Sequence, residues 1–311
     1  MNLIKQFFEV ITPDDYSTDS IMKHIERCGR TSYKSEDRIT TDSYKKFTDM
    51  LYKRGHLSPF EFGTVYLKVP MKIVSLALAE SVWDILRRNQ YTKTDIDSDY
   101  YYFTTNMRVL IENHIEEVLE YSCKQPEKWH EQRITVKFIT SRAVSHELVR
   151  HRVFSFIQES QRYCNYSKDK FGDKVTFIIP AWCKYITEGD AYWYAGLSYR
   201  TGYNVENEFT GNRSWVEPKD TDDINEWHAE YAFIKSLNSA ESSYFKALEY
   251  GWKPQQARVI LPNACKTEIV MCGFVSDWKH FFKLRDSSTA DPQMQDLVKP
   301  LHEYFKEHGI L

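Results

Sequence analysis

The sequence predicts an α+β domain, and three observations lead there. Helical and strand-like patterns both occur, but they do not alternate as regular βαβ units. Two stretches, "TVYLKV" (64–69) and "RITVKFI" (133–139), alternate apolar and polar residues as strands do. No internal repeat or low-complexity linker divides the 311 residues, so a single domain over 1–311 is expected, with a long excursion at about 70–132 and an irregular insertion at about 185–227. At 42% hydrophobic and 15% aromatic, the chain can bury a sizeable core.

Residues 18–29 read as a helix, with Ile21, Ile25 and Cys28 on one face and Gly29 at the end. Residues 41–54 read as a second helix, with Phe47, Met50 and Leu51 apolar and Gly55 as the stop. The excursion is rich in Tyr and Asp around 95–103, and residues 107–122 within it read as helical. "SRAVSHELVRH" (141–151) is a helix that buries Val144 and Leu148 and carries Arg150 near its end; "VFSF" (153–156) is a short strand. "KVTFIIP" (174–180) is strand-like, whereas 185–227 is polar, aromatic and poorly periodic. Residues 228–250 hold the longest helical pattern, closed by Gly251 and Pro254. "TEIVMCGF" (267–274) is a strand, after which Ser276 is expected to cap a helix running through Arg285. Asp291-Pro292 opens the last helix, Asp as N-cap and Pro at the first helical position.

The net charge of -3 gives no global field for a nucleic-acid polymer or an anionic membrane. No apolar run reaches the roughly 20 residues that span a bilayer. The first residues, "MNLIKQFFEVITPDDYS", lack the apolar core of a signal peptide, so a cytoplasmic protein is expected. The six cysteines form no CxxC pair and fit no zinc spacing; reduced structural thiols and no metal are expected. Cys164, two residues after Arg162 in the most basic stretch of the chain, is the cysteine read as the candidate for an activating positive field.

One stretch stands apart. "VRHRVFSFIQESQRYCNYSKDKF" (149–171) places Arg150, His151, Arg152 and Arg162 within thirteen positions, among serines, two glutamines and tyrosines. Arginines at a helix end are ordinarily solvated. Here they follow His146 and Glu147, border an apolar strand, and precede Ser160, Gln161 and Arg162. Guanidinium forks pair bidentately with phosphate, and the hydroxyl and amide groups among them can read a polar ring. Interleaved aromatics and arginines also suit single-stranded nucleic acid, but the stretch is short and the chain is not basic. A small phosphorylated ligand fits better.

"RHRVFSFIQESQRY" resembles the signature of flavin-dependent thymidylate synthases: Arg-His-Arg, seven residues (Val153 to Glu159), then Ser160. "ERCGRTSYKS" (26–35), "GHLSPFEF" (55–62), "SHELVRHR" (145–152), "ARVILPN" (257–263) and "WKHFFKLRDSSTADPQMQDL" (278–297) resemble the family's other elements, in its order. Residues 70–132 and 185–227 fall outside these matches. The resemblance implies an α+β homotetramer with shared active sites. It implies reductive methylation of dUMP to dTMP, with methylene-tetrahydrofolate as carbon donor, FAD as hydride carrier and NADPH as reductant. It assigns Arg285 to hold negative charge on the uracil ring and His56 to a place near flavin and nucleotide. For dUMP it implies Glu147, Arg150, Gln158, Ser160, Gln161, Arg162 and Arg258, with Arg285. For FAD it implies Ser58, Arg150, His151, Arg152, Gln158 and His280.

Each assignment has a structural alternative. Arg285 reads equally as a helix-end arginine paired with Asp286, Arg258 as an exposed helical arginine, His56 as a loop histidine and His151 as a structural one. Ser160 lacks the G-x-S-x-G elbow of a hydrolase nucleophile and is read as a substrate contact. The chain departs from the family pattern at Phe62 for a common His, Ile157 for an Asn, Gln158 for a Glu, and Phe274 and Ser276 for an Asn and an Arg that contact FAD. Two rival functions stay open: a different modification of uracil C5, such as hydroxymethylation, and a non-catalytic nucleotide or RNA binder on the same fold.

Overall fold

The computed structural model describes residues 1–76, 81–162, 164–167, 172–192, 203–206, 213–216 and 223–311. Strands β1 (Asn2–Ile4), β2 (Phe7–Val10) and β3 (Thr64–Pro70) are followed by β4 (Lys93–Ile96), β5 (Tyr100–Asn106), β6 (Arg133–Ser141), β7 (Ser155–Gln158) and β8 (Thr176–Ile178). Then come β9 (Gly189–Tyr192), β10 (Tyr203–Glu206), β11 (Arg213–Val216) and β12 (Lys266–Phe274). The helices are α1 (Thr18–Thr31), α2 (Ser43–Lys53), α3 (Met71–Leu76), α4 (Val82–Arg88) and α5 (Met107–Asn113). They continue with α6 (Arg142–Leu148), α7 (Ile224–Glu249), α8 (Pro254–Ala257), α9 (Val275–Arg285) and α10 (Pro292–Glu307).

These elements make three sheets, ordered β2-β6-β12-β7, β3-β5-β4 and β11-β10-β9-β1-β8. Pairing is antiparallel throughout except for the parallel pair β1–β8, so the α+β class expected from sequence is the one observed. β6 and β12 run side by side along their full length, Lys266 opposite Ser141 and Phe274 opposite Arg133. Most of their residues are buried on both faces, as central strands require. α6, α9 and α10 cover one face through Val144, Leu148, Trp278, Phe281, Phe282, Leu297 and Phe305. α1 and α2 pack with β3 and β5, and α7 packs through Ile234, Leu237 and Tyr244 against Leu3, Val175 and Phe177.

Several sequence expectations shift. Gly29 lies inside α1 rather than ending it; a Cβ there would meet Phe47 Cε1 at 2.8 Å, so the glycine permits close packing of α1 on α2. The helix expected at 107–122 stops at Asn113, where His114 turns left-handed (φ 54), and continues as a 3₁₀ turn over Glu116–Tyr121. The strand read at 153–156 lies at 155–158. The stretch 185–227 holds β9, β10 and β11, whose polar and aromatic residues hid a strand period, and the start of α7; its residues 193–202, 207–212 and 217–222 lie outside the described residues. Ser276 sits in the first turn of α9 rather than capping it; the cap is Phe274, whose amide donates to Asp277 Oδ2 at 3.3 Å. Asp291 caps α10 as expected, its Oδ1 accepting from the amides of Gln293 and Met294 at 2.9 and 3.1 Å.

Candidate active site around Arg285

α6 is short because its chain must leave the sheet after β6. Ser141 caps it by accepting from the Val144 amide at 3.2 Å, and Val144 and Leu148 anchor it on the core. The helix ends at Leu148, so Arg150 and Arg152 emerge in the exposed turn before β7. α9 leaves β12 in the adjacent position and packs its Trp278 and Phe281 on Phe154, two residues after the Arg-His-Arg run. These two helix ends bring together residues far apart in sequence.

Arg285, at the end of α9, donates through Nη1 to Glu147 Oε2 at 2.6 Å, through Nη2 to the Glu147 carbonyl at 3.3 Å, and through Nε to His151 Nε2 at 2.9 Å. Asp286, its alternative partner from sequence, is taken by His302 Nδ1 at 2.6 Å. A guanidinium N–H can only donate, so His151 Nε2 must accept, and the imidazole carries its proton on Nδ1. Burial, followed by the positive charges of Arg285, His280 and Arg150, pulls the His151 pKa down to about 4, in keeping with a neutral ring. The ring also meets Phe281 edge-on at 4.9 Å between centroids. Three of the five guanidinium donors are thereby committed, and among the described residues the other two have no partner. Glu147, Arg150, His151, His280 and Arg285 thus share one electrostatic neighbourhood.

Gln158, at the end of β7, donates from Nε2 to Ser145 Oγ at 2.8 Å and Thr267 Oγ1 at 3.1 Å, which ties the signature strand to α6 and β12. Ser160 donates its amide to the Ser32 carbonyl at 3.2 Å, and Gln161 Nε2 donates to Cys265 Sγ at 3.4 Å. The Arg162 amide donates to Ser160 Oγ at 3.4 Å and its side chain is exposed. Tyr163, which closes the "SQRY" match, lies outside the described residues. Arg150 and Arg152 are both exposed, and among the described residues neither guanidinium has an ion-pair partner. His56 and Ser58 are exposed after α2; the 3₁₀ turn that starts at Ser58 packs on β7. Arg258 is half-buried at the start of a 3₁₀ turn. Among the described residues no hydrogen bond joins His56, Ser58, Arg258 or His280 to the Arg285 cluster.

The departures from the family pattern have a local logic. Phe62 and Ile157 fall in one small apolar cluster with Ile11, Cys28, Val270 and Cys272, so both side chains serve the core here. Phe274 is buried, with Lys93 Nζ and the Arg133 guanidinium each 5.6 Å from its ring centre. Ser276 donates its amide to Glu131 Oε1 at 2.9 Å. None of the six cysteines is in a disulfide among the described residues, and Cys164 is fully buried. Sequence reasoning missed Ser145 and Thr267 as the holders of Gln158, and Phe281 as the wall behind His151. Ser145 carried a signal, because it opens the matched "SHELVRHR"; Thr267 and Phe281 carried none until the helix and strand were placed. Among the described residues no helix is long and apolar enough to cross a membrane.

A family model described as thymidylate synthase complementing protein, Thy1, matches residues 78–308 and runs through 78–132 and 185–227. A flavin-dependent thymidylate synthase of Pyrococcus abyssi is 24% identical over 252 residues, covering 79% of this chain and 78% of the relative. One of Thermococcus kodakarensis is 26% identical over 252 residues, with the same shares of 79% and 78%. A shorter match, to one of Pyrococcus furiosus, is 28% identical over 171 residues and covers 55% of this chain and 53% of the relative. With a matched span of most of its length and the signature Arg150-His151-Arg152 to Ser160 in place, the chain belongs to the thymidylate synthase complementing protein family, that of the flavin-dependent thymidylate synthases.

Proposed function

We propose that the protein is a flavin-dependent thymidylate synthase, which converts dUMP to dTMP with methylene-tetrahydrofolate as carbon donor and reduced FAD, reloaded by NADPH, as hydride source. The observation that carries this reading is Arg285, a guanidinium aimed by Glu147 and His151 with two donors to spare. Uracil C5 is a poor nucleophile until negative charge on the ring is stabilised. A fixed cation at a ring oxygen does that without reorganising during the reaction. His151 and Glu147 set the direction of the fork, and His151 keeps it there only while neutral.

The donor set fits a flavin dinucleotide. Arg150 and Arg152 are two residues apart, exposed and, among the described residues, unpaired by any carboxylate. Their mutual repulsion is relieved by a dianionic diphosphate. Bound FAD supplies the hydride chemistry. Ser58, His151, Gln158 and His280 complete the flavin contacts in this reading, and Lys93 brings a cation to the Phe274–Ser276 corner where the family's Arg is lacking. Glu147, Arg150, Gln158, Ser160, Gln161, Arg162 and Arg258 hold dUMP, and His56 lies beside nucleotide and flavin. Val149, Val153, Leu284 and Val259 flank these arginines at 41, 57, 47 and 74% exposure, which supports sites completed by other copies in a homotetramer.

Titration of the purified protein with FAD tests the reading. The expected result is saturable appearance of the flavin absorbance bands, weakened at least tenfold by Arg150→Ala with Arg152→Ala, the loss of two charge-assisted contacts. A parent protein that takes up no flavin would contradict it.

A further inference from the structure

β12 begins Lys266-Thr267-Glu268, and the strand period sends these side chains to opposite faces. Thr267 meets Gln158 on one face. Lys266 and Glu268 turn to the other, and so does Glu159, the residue after Gln158. Lys266 Nζ bridges Glu159 Oε2 at 2.9 Å and Glu268 Oε1 at 2.6 Å. Glu268 also receives Lys137 Nζ at 2.6 Å and the ammonium of Lys34. The Glu159 amide donates to the Glu268 carbonyl at 2.8 Å. Glu159 and Glu268 are only 2% and 5% exposed.

This is an unusual place for ions. Burial works against the Glu268 carboxylate, but Lys266, Lys34 and Lys137 outweigh it and hold the pKa far below the usual carboxylate range. Buried ion pairs of this kind are no more stabilising than apolar packing, so stability alone does not explain them. Glu159 Oε1 is buried and, among the described residues, has no hydrogen-bond partner, and Glu159 lines a cavity of about 280 Å³ with Lys34, Glu36, Tyr166 and Lys266. Lys34 has a left-handed backbone (φ 50), uncommon for a lysine, in the turn whose Ser32 carbonyl accepts the Ser160 amide.

The arrangement therefore fixes one object from two sides. Gln158 is held by Ser145 and Thr267, Glu159 by Lys266 on the opposite face, and Ser160 by the turn that Lys34 anchors on Glu268. We propose that Glu159, Lys266, Glu268 and Lys34 form a positioning device that fixes the Ser160–Arg162 loop for its nucleotide ligand. They act through the loop backbone and are positioning residues. The ligand part rests on the thymidylate synthase reading; the loop-fixing part rests on the geometry alone.

Glu159→Gln keeps the size of the side chain and removes its charge. Two measurements read the result: hydrogen exchange at the Glu159 and Ser160 amides of the apo protein, and dUMP affinity by titration. The variant should exchange faster at those amides and bind dUMP more weakly, each on the order of tenfold, the scale of one charge-assisted hydrogen bond. FAD affinity and the unfolding midpoint should stay within about twofold and a few degrees of the parent. Unchanged exchange at both amides would overturn the device, whether or not the protein binds dUMP. Faster exchange throughout, with FAD affinity and midpoint falling together, would overturn it too, because it would mark general structural support. Loosening at those amides in a protein that takes no dUMP would leave the device standing and overturn the nucleotide reading instead.

Discussion

Arg285 commits three donors to Glu147 and His151, and that arrangement decides what a lysine in its place would do. A lysine keeps the charge but loses the planar fork, the bond to His151 and the aim. Arg285→Lys should therefore still fold and bind FAD, yet form dTMP more slowly by on the order of 10²-fold, the scale of losing a pre-aimed electrostatic stabiliser. Rapid-quench rates with dUMP and folate saturating check this; a rate equal to the parent's would make Arg285 structural. His151 carries a pH signature of its own. Its folded pKa, about 4, is below the ordinary value near 6.5, so the unfolded chain binds the extra proton between them. Its contribution to stability is full above pH 6.5 and is lost as pH falls toward about 4. His24, also buried and held down to about 3, adds the same sign. Urea unfolding at pH 7, 6 and 5 should show stability falling with pH, and His151→Gln should flatten that slope by up to about 1.4 kcal/mol per pH unit, the slope of one unmatched proton. An unchanged slope would mean that His151 titrates alike in both states.

At the scale of elements, the site depends on α9 lying flush against β12 and β7. Gly273 makes that possible: a Cβ there would fall against Phe154, whose Cε1 would be 2.5 Å away, and Phe154 in turn packs on Trp278 and Phe281 behind His151. Gly273→Ala should lower stability by about 1–3 kcal/mol, the usual cost of overpacking, and should also slow turnover by displacing Phe281. Chemical denaturation with assays on the folded fraction checks both; wild-type stability would mean Phe154 moves freely aside. The same elements show what a sequence can and cannot convey. α1, α2, α10, β3, β6 and β12 were legible because their apolar period and their caps, Gly55 and Asp291, are local signals. β9–β11 were not, because polar and aromatic residues there do not alternate cleanly, and α5 was overextended because nothing local marks His114 as left-handed.

At the scale of the molecule, the family was legible from the resemblance of the Arg150-His151-Arg152 to Ser160 signature and its companion segments. The partners of Arg285 were not: Asp286 is its neighbour in sequence, while Glu147 and His151 reach it only once α6 and α9 are placed. Nor could the charge network on Lys266 and Glu268 be told from an exposed strand end before β6 and β7 flanked β12. The exposed apolar residues around Arg150, Arg258 and Arg285 lead to an assembly prediction. Light scattering at assay concentration should give four times the 37.0 kDa chain mass, and a fully active monomer would remove the shared-site part of the proposal.

The most direct measurement is a single turnover of the FAD-loaded, pre-reduced protein with labelled dUMP and methylene-tetrahydrofolate, quenched in acid with the products separated. The proposed function predicts dTMP, in an amount matching the reduced flavin and with its oxidation. Hydroxymethyl-dUMP as the final product, or oxidised flavin with dUMP unchanged, would contradict it.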